Sequence, residues 1–153
     1  MKIISNMVEA HVFRETVEGI EFLLLKRSEK EIYPGLWQMV TGKIKKKEAA
    51  FEAALREIKE ETGLIPSNLW IVPNVNLFYS HEKDYISMLP VFAAKVKGNS
   101  AIIICHEHCE YKWVKPADAK LLFAWPGQSQ SVDIITEYFL NKRNFLNMLE
   151  IAL

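Results

Sequence analysis

The sequence has no surplus of charge of either sign: 19 lysines and arginines stand against 19 aspartates and glutamates. A balanced chain lacks the basic footprint that gives nucleic-acid binding its affinity, and it offers nothing to an anionic membrane surface. Neither nucleic acid nor a membrane is expected as a partner. Long hydrophobic runs are missing too. Stretches such as Phe22-Leu23-Leu24-Leu25 and Ala101 to Cys105 are short, whereas a membrane span needs about twenty apolar residues. The opening residues Met1 to Glu9 are interrupted by Lys2, Ser5 and Asn6 before an apolar signal core can form, so the expected location is the cytoplasm. Cysteine is scarce. Cys105 and Cys109 cannot build a disulfide framework, and four residues apart on one strand they are too distant for a direct bridge. With 6 glycines, 6 prolines and 25% charged residues, low-complexity and disordered classes are excluded as well.

What is present is enough apolar material for one sizeable core: half of the 153 residues are hydrophobic, and no linker or repeat divides them. One domain over residues 1–153 is expected. Val8 to Arg14 and Ile20 to Arg27 read as strands joined by a turn at Glu18-Gly19, the second with the continuous apolar run of a strand covered on both faces. Tyr33-Pro34-Gly35 turns into a strand from Leu36 to Thr41. A helical pattern runs from Lys47 to Thr62, stopped by Gly63. Further strands are expected over Leu69 to Tyr79, Tyr85 to Val96 and Cys109 to Val114. Pro116 starts a short helix, and Val132 to Met148 has the apolar spacing of a terminal one, with Ile135, Phe139, Leu146 and Met148 on or near one side. Strands outnumber helices without strict alternation, which points to the α/β (α+β) class with a mixed sheet packed between helices.

The central helix carries the chemistry. At about 100° per residue, with Glu57 at zero, Glu60 falls at about 300° and Glu61 at about 40°, so three carboxylates share one arc. Phe51, Leu55 and Ile58 form the core stripe on this wheel. Ala50, Ala53 and Ala54 line the acidic arc, as if something approaches it closely. Glutamates on a helix are commonly surface decoration. Here Glu57, Glu60 and Glu61 lack a lysine at i+4, and Glu57 and Glu61 repel each other at that spacing. A divalent cation relieves that repulsion, and oxygen-only ligands suit Mg²⁺ or Mn²⁺ rather than zinc. Arg56, one turn from both Glu52 and Glu60, can hold a carboxylate without occupying the arc.

Gly42, five residues, Glu48, seven residues, and then Arg56-Glu57-Ile58-Lys59-Glu60-Glu61-Thr62-Gly63-Leu64 fill every fixed position of the pattern G-x5-E-x7-R-E-U-x-E-E-x-G-U, with U aliphatic. This resembles the box of the Nudix hydrolases. The resemblance implies an α/β/α sandwich and cleavage of a nucleoside diphosphate linked to a further group. It implies that Glu57, Glu60 and Glu61 hold the metals and that Arg56 orients the cluster, with Gly42, Glu48 and Gly63 as structural members of the motif. The box loop Lys43-Ile44-Lys45-Lys46-Lys47 departs from the glycines and acid common there. Lysine runs usually face water, but Lys43, directly after Gly42, can reach a phosphate; Lys45 to Lys47 have no assigned role.

Hydrolysis of a phosphoanhydride calls for a cation to neutralise the phosphate oxygens and activate a water, and often for a carboxylate to take the proton. Cys105-His106-Glu107-His108-Cys109 offers that carboxylate. In extended chain the cysteines and Glu107 point away from the two histidines, which weighs against a zinc site, while a purely structural loop remains open. Trp37-Gln38-Met39-Val40-Thr41-Gly42 and Glu107-His108-Cys109-Glu110-Tyr111-Lys112-Trp113 are similar to the dihydroneopterin triphosphate (dATP) pyrophosphohydrolase branch of the family. That likeness implies Glu107 as a fourth catalytic or metal carboxylate, a metal contact from the Thr41 carbonyl and a phosphate contact from Arg27. Tyr33, Trp37, Tyr79 and Trp125 are flat enough to stack on a base or pterin ring, although aromatics are more often core. The expected activity is Mg²⁺-dependent hydrolysis of a nucleoside or pterin triphosphate, releasing pyrophosphate. The alternatives are a dinucleoside polyphosphate or ADP-ribose hydrolase and a non-catalytic nucleotide sensor, the latter having no need of intact metal carboxylates.

Overall fold

The computed structural model describes residues 1–141 and 149–153. Its elements are β1 (Lys2–Ile4), β2 (Met7–Thr16), β3 (Gly19–Arg27), β4 (Trp37–Gln38), β5 (Val40–Lys43), α1 (Ala50–Thr62), β6 (Asn68–Ser80), β7 (Tyr85–Lys95), β8 (His108–Val114), α2 (Pro116–Leu122), α3 (Pro126–Asn141) and β9 (Glu150–Ile151). The described strands form one mixed sheet. β2 runs parallel to β7 and antiparallel to β3 and β5, β8 lies along β3, and β6 along β7. The short β1 and β9, which the sequence pattern does not signal, pair with β7 and β6.

Strand alternation divides the core in two. Val8, Ala10 and Val12 of β2, Leu23 and Leu25 of β3 and Val40 of β5 pack with Ala53, Ala54 and Ile58 under α1. Phe13, Ile20, Phe22, Leu24 and Met39 pack on the other face with Ala119, Val132 and Ile135 of α2 and α3. The apolar run of β3 is thus covered on both faces, as expected of it.

Several boundaries differ from the sequence reading, among them shifts of one or two residues at the ends of β2, β3, β6 and β7. The strand expected from Leu36 to Thr41 is two strands, because β2 and β3 part beyond their pairing at Phe13 with Phe22. β4 then follows β3 (Leu25 opposite Gln38), whereas β5 follows β2 (Ala10 opposite Val40). α1 begins at Ala50 rather than Lys47, since Lys47 has φ 67° and lies outside helical space. Glu52 Oε2 accepts from the Ala49 N–H at 2.8 Å to start the helix, and Gly63, at φ 73°, ends it through its N–H to the Lys59 carbonyl. α3 begins at Pro126, ahead of Val132, and its polar first turns dock on β6, where Asn74 Nδ2 donates to the Gly127 carbonyl at 3.2 Å and to Ser131 Oγ at 2.9 Å. Leu146 and Met148 of the expected terminal helix lie outside the described residues. β8 starts at His108, one residue before its expected start.

Candidate active site

α1 places its acids against the sheet through small residues. Ala53 and Ala54 are fully buried, while Phe51 and Leu55 are only partly so. The buried face is therefore centred nearer the alanines than the Phe51-Leu55-Ile58 stripe suggested, and what comes close to that arc is the sheet itself. Gly42 marks the closest approach, since a Cβ there would stand 2.1 Å from Glu57 Cγ and Cδ. The box glycine is required by the space that Glu57 fills.

Arg56 ties the loop, the helix and the acids together. Its Nε and Nη2 donate to the two Glu48 oxygens at 2.7 and 2.9 Å, and its Nη2 also donates to the Lys43 carbonyl at 2.9 Å. Nη1 donates to Glu57 at 2.6 Å and Glu60 at 3.1 Å. Of the two carboxylates one turn away the fork takes Glu60 and not Glu52, which is engaged at the helix start. Because it also bonds Glu57, the expectation that Arg56 holds a carboxylate without occupying the acidic arc is corrected, the fork bridging Glu48 to two members of that arc. The Arg56 bond, followed by the Lys45 N–H, pulls the Glu48 carboxyl down to about 2. Lys45 reaches Glu60 at 3.8 Å, a contact the sequence left unassigned.

Glu61 is the buried member. It is 3% exposed, its Oε2 has no hydrogen-bond partner, and burial pushes its carboxyl up to about 9, with Glu107 and Glu57 adding to the rise and Arg27 opposing it. Burial also raises Glu57, against the pull of Arg56. Glu60, by contrast, is half exposed and held between Arg56 and Lys45.

Glu107 reaches this group because the chain after β7 is fastened to the end of α1: the Ile103 N–H donates to the Thr62 carbonyl at 2.9 Å and the Cys105 N–H to the Glu61 carbonyl at 3.3 Å. From the β3 side, the Ser28 N–H donates to the Glu107 carbonyl at 2.9 Å and Ser28 Oγ to the His106 carbonyl at 2.9 Å. The segment is a turn, closed by the His108 N–H on the Cys105 carbonyl at 3.1 Å, and not the extended chain on which the cysteine and histidine directions were reasoned. In the turn Cys105 Sγ lies 3.9 Å from His108 Nδ1, and Gln38 Nε2 lies 2.9 Å from His108 Nε2.

The site thus brings Glu57, Glu61 and Glu107 within one another's electrostatic reach. Among the described residues no three acidic, histidine or cysteine side chains close into a finished donor set. Arg56 engages Glu57 and Glu60, while Glu61 has no such partner. The chemistry nonetheless fits a hard divalent cation: the donors are all oxygen, and Glu61 offers a buried oxygen that nothing else satisfies.

The remaining candidates divide. Thr41 is on β5, which pairs with β2 alone, opposite Glu9. Arg27 sits beside the acids but binds its own loop, with its Nε on the Ile32 carbonyl and its Nη2 3.5 Å from Glu31. Lys43 is exposed at the end of β5. Trp37 packs on the α2 and α3 side, with the Lys112 ammonium 4.3 Å from its ring centre, so the structure does not gather it with the carboxylates. Tyr33 and Trp125 meet edge to face at 5.8 Å, and the Tyr79 hydroxyl donates to Asp84 near the β6–β7 turn. Sequence reasoning passed over Glu9, Asn76 and Gln128. Burial raises the Glu9 carboxyl to about 7, opposed by bonds from Asn76 and Gln128. The one signal was an acid within an apolar strand.

A mixed sheet between helices, with an oxygen-only acidic set beside a basic loop, defines a class: hydrolases that cleave phosphoanhydrides with a divalent cation. The NUDIX domain family matches residues 7–133, and the chain belongs to this family of hydrolases acting on nucleotide phosphoanhydrides. It is similar to the asymmetrical bis(5'-nucleosyl)-tetraphosphatase of Caenorhabditis elegans, 31% identical over 71% of this chain and 77% of that one. It also resembles the nucleoside triphosphatase NudI of Escherichia coli, 28% identical over 66% of this chain and 77% of the relative. The structure of the E. coli dihydroneopterin triphosphate pyrophosphohydrolase superposes with a TM-score of 0.69 at 21% identity, over 88% of this chain and 94% of that one, and shares the fold. Hydrolases of the family generally need a divalent cation. Among the described residues no helix is long and apolar enough to cross a membrane.

Proposed function

We propose that the protein hydrolyses a nucleoside or pterin triphosphate to the monophosphate and pyrophosphate, with Mg²⁺, or Mn²⁺ in its place. The observation that carries this reading is the buried Glu61 carboxyl, with one oxygen unpartnered, beside Glu57 and Glu107. Glu57, Glu60, Glu61, Glu107 and the Thr41 carbonyl would hold the cation. When bound, it neutralises phosphate oxygens and activates the attacking water. Arg56 is a positioning residue, fixing Glu57 against the Glu48 loop. Glu107, carried by the turn fastened to Ser28 and to the end of α1, would take the proton of the water or serve as a ligand, a reading supported by its electrostatic coupling to Glu57 and Glu61. Arg27 and Lys43 supply positive charge at the margin for the phosphate chain, although Arg27 must release Glu31 to do so. The test is a panel of dihydroneopterin triphosphate, dATP, diadenosine tetraphosphate and ADP-ribose with the phosphate products identified. Pyrophosphate from a triphosphate supports the reading, and turnover of the other two substrates alone overturns it. A dinucleoside polyphosphate substrate is the second reading, favoured by the likeness to the asymmetrical tetraphosphatase.

A further inference from the structure

On the sheet face away from α1, a polar cluster is left unused by the phosphoanhydride site. Val8 and Ala10 pack under α1, so alternation along β2 turns the intervening Glu9 toward α3. Glu9 is 5% exposed, accepts hydrogen bonds from Asn76 Nδ2 and Gln128, and makes no ion pair among the described residues. Gln128, also 5% exposed, leaves its Oε1 without a partner. The approach of α3 here is built in: a Cβ on Gly127 would stand 2.0 Å from Asn76 Oδ1. A buried carboxylate without a cation is costly to fold, and apolar side chains would fill the same space with less penalty.

The hydrogen-bonding capacity of the cluster defines what it can recognise. A carboxylate accepts about four hydrogen bonds. Asn76 and Gln128 supply two, so two positions on Glu9 remain, with Gln128 Oε1 as a third acceptor. With Glu9 ionised, the form that ligand N–H donors favour over the buried acid whose carboxyl is raised to about 7, the set is all acceptor and fits a ring edge that presents adjacent N–H donors. The 2-amino-4-oxopyrimidine ring of guanine and of pterins has this edge, a ring N–H beside an exocyclic amino group. Adenine and cytosine put an amino group beside a ring nitrogen acceptor, which an ionised Glu9 would repel.

Topology supplies the route. Glu9 lies opposite Thr41, and Val8 opposite Gly42, the residue over which Glu57 packs. At this point β2 and β3 have parted, and β5 pairs on one side only. We infer that Glu9, with Asn76 and Gln128, selects a substrate bearing the 2-amino-4-oxopyrimidine ring, guanine or pterin, whose phosphates pass the open edge of β5 to reach Glu57, Glu61 and Glu107. The assignment deepens the triphosphate reading and rests on it for the placement of the phosphates.

Calorimetric titration of the full chain with GMP, neopterin and AMP, in EDTA, measures ring recognition with no hydrolysis required. GMP or neopterin binds at least about 10-fold tighter than AMP, and the tighter of the two identifies the ring source. Glu9→Gln weakens the preferred ligand roughly 10- to 100-fold and leaves AMP unchanged. Gln128→Met, which removes the unpartnered acceptor, weakens it in the same selective way and carries the test if Glu9→Gln does not fold. Equal or tighter binding of AMP by wild type, or an equal loss for all three ligands in the variants, overturns the assignment. Absence of turnover on every triphosphate counts against the hydrolysis reading alone.

Discussion

Replacing Gly42 by alanine isolates the position of one carboxylate. The added Cβ would stand 2.1 Å from Glu57 Cγ and Cδ and 2.4 Å from its Oε1, so the two cannot coexist as placed. Gly42 is not among the glycines with positive φ, so β5 accepts alanine without backbone strain. The displaced atoms are the outer part of a flexible side chain. Moving them costs about 0.5–1.5 kcal/mol for a poorer rotamer plus loss of the 2.6 Å bond from Arg56. A total of about 1–3 kcal/mol lowers the melting temperature of a domain this size by roughly 2–12 °C. Activity falls much further, because a misplacement of about 1 Å at a reacting centre costs on the order of 100-fold. The assay is kcat/KM over a Mg²⁺ titration, with thermal melts alongside, in a double-mutant cycle with Glu57→Gln. If Gly42 acts through Glu57, then adding Gly42→Ala to Glu57→Gln lowers the rate by less than about threefold. Full activity in Gly42→Ala, or complete additivity in the cycle, refutes the reasoning.

Glu61→Gln lowers kcat by two or more orders of magnitude with the fold intact, measured by turnover and circular dichroism. Because the folded carboxyl is raised from 4.5 to about 9, the metal-free protein loses stability as pH rises across that range. Glu61→Gln removes the Glu61 share of this slope, leaving that of Glu9 and Glu57, and stabilises the metal-free protein by up to about 3 kcal/mol at pH 7, measured by denaturant unfolding in EDTA. Glu107→Gln reduces kcat at least about 10-fold with an unchanged melting temperature, and a wild-type rate returns the 105–109 turn to a structural role. His11, buried between Phe22 and Phe123 with both ring nitrogens unpartnered, is lowered from 6.5 to about 3. Its stabilisation is complete above pH 6.5 and is lost as pH falls toward 3, by up to about 4–5 kcal/mol, so His11→Phe flattens the acid limb of stability.

The parts of the fold legible in the sequence were those set by local chemistry. Gly63 ends α1 because its left-handed conformation is a local need, and Arg56 to Glu61 are neighbours on one helix whatever surrounds them. What depends on distant chain was not legible. The division of Leu36 to Thr41 into β4 and β5 follows from the parting of β2 and β3, which no local pattern records. Glu9 and His11 occupy the positions of an exposed strand face, yet α2 and α3 cover them. Arg56 reaches Glu60 as helical spacing allows, but its bonds to Glu48 depend on how the preceding loop folds back, which spacing along the helix does not reveal.

The most direct test of the account is ³¹P NMR identification of products from dihydroneopterin triphosphate and dATP in Mg²⁺, comparing wild type with Glu61→Gln. The account predicts cation-dependent release of pyrophosphate and monophosphate by wild type and a loss of at least about 100-fold in the folded variant. Pyrophosphate release that persists in EDTA, or that survives Glu61→Gln, would contradict it.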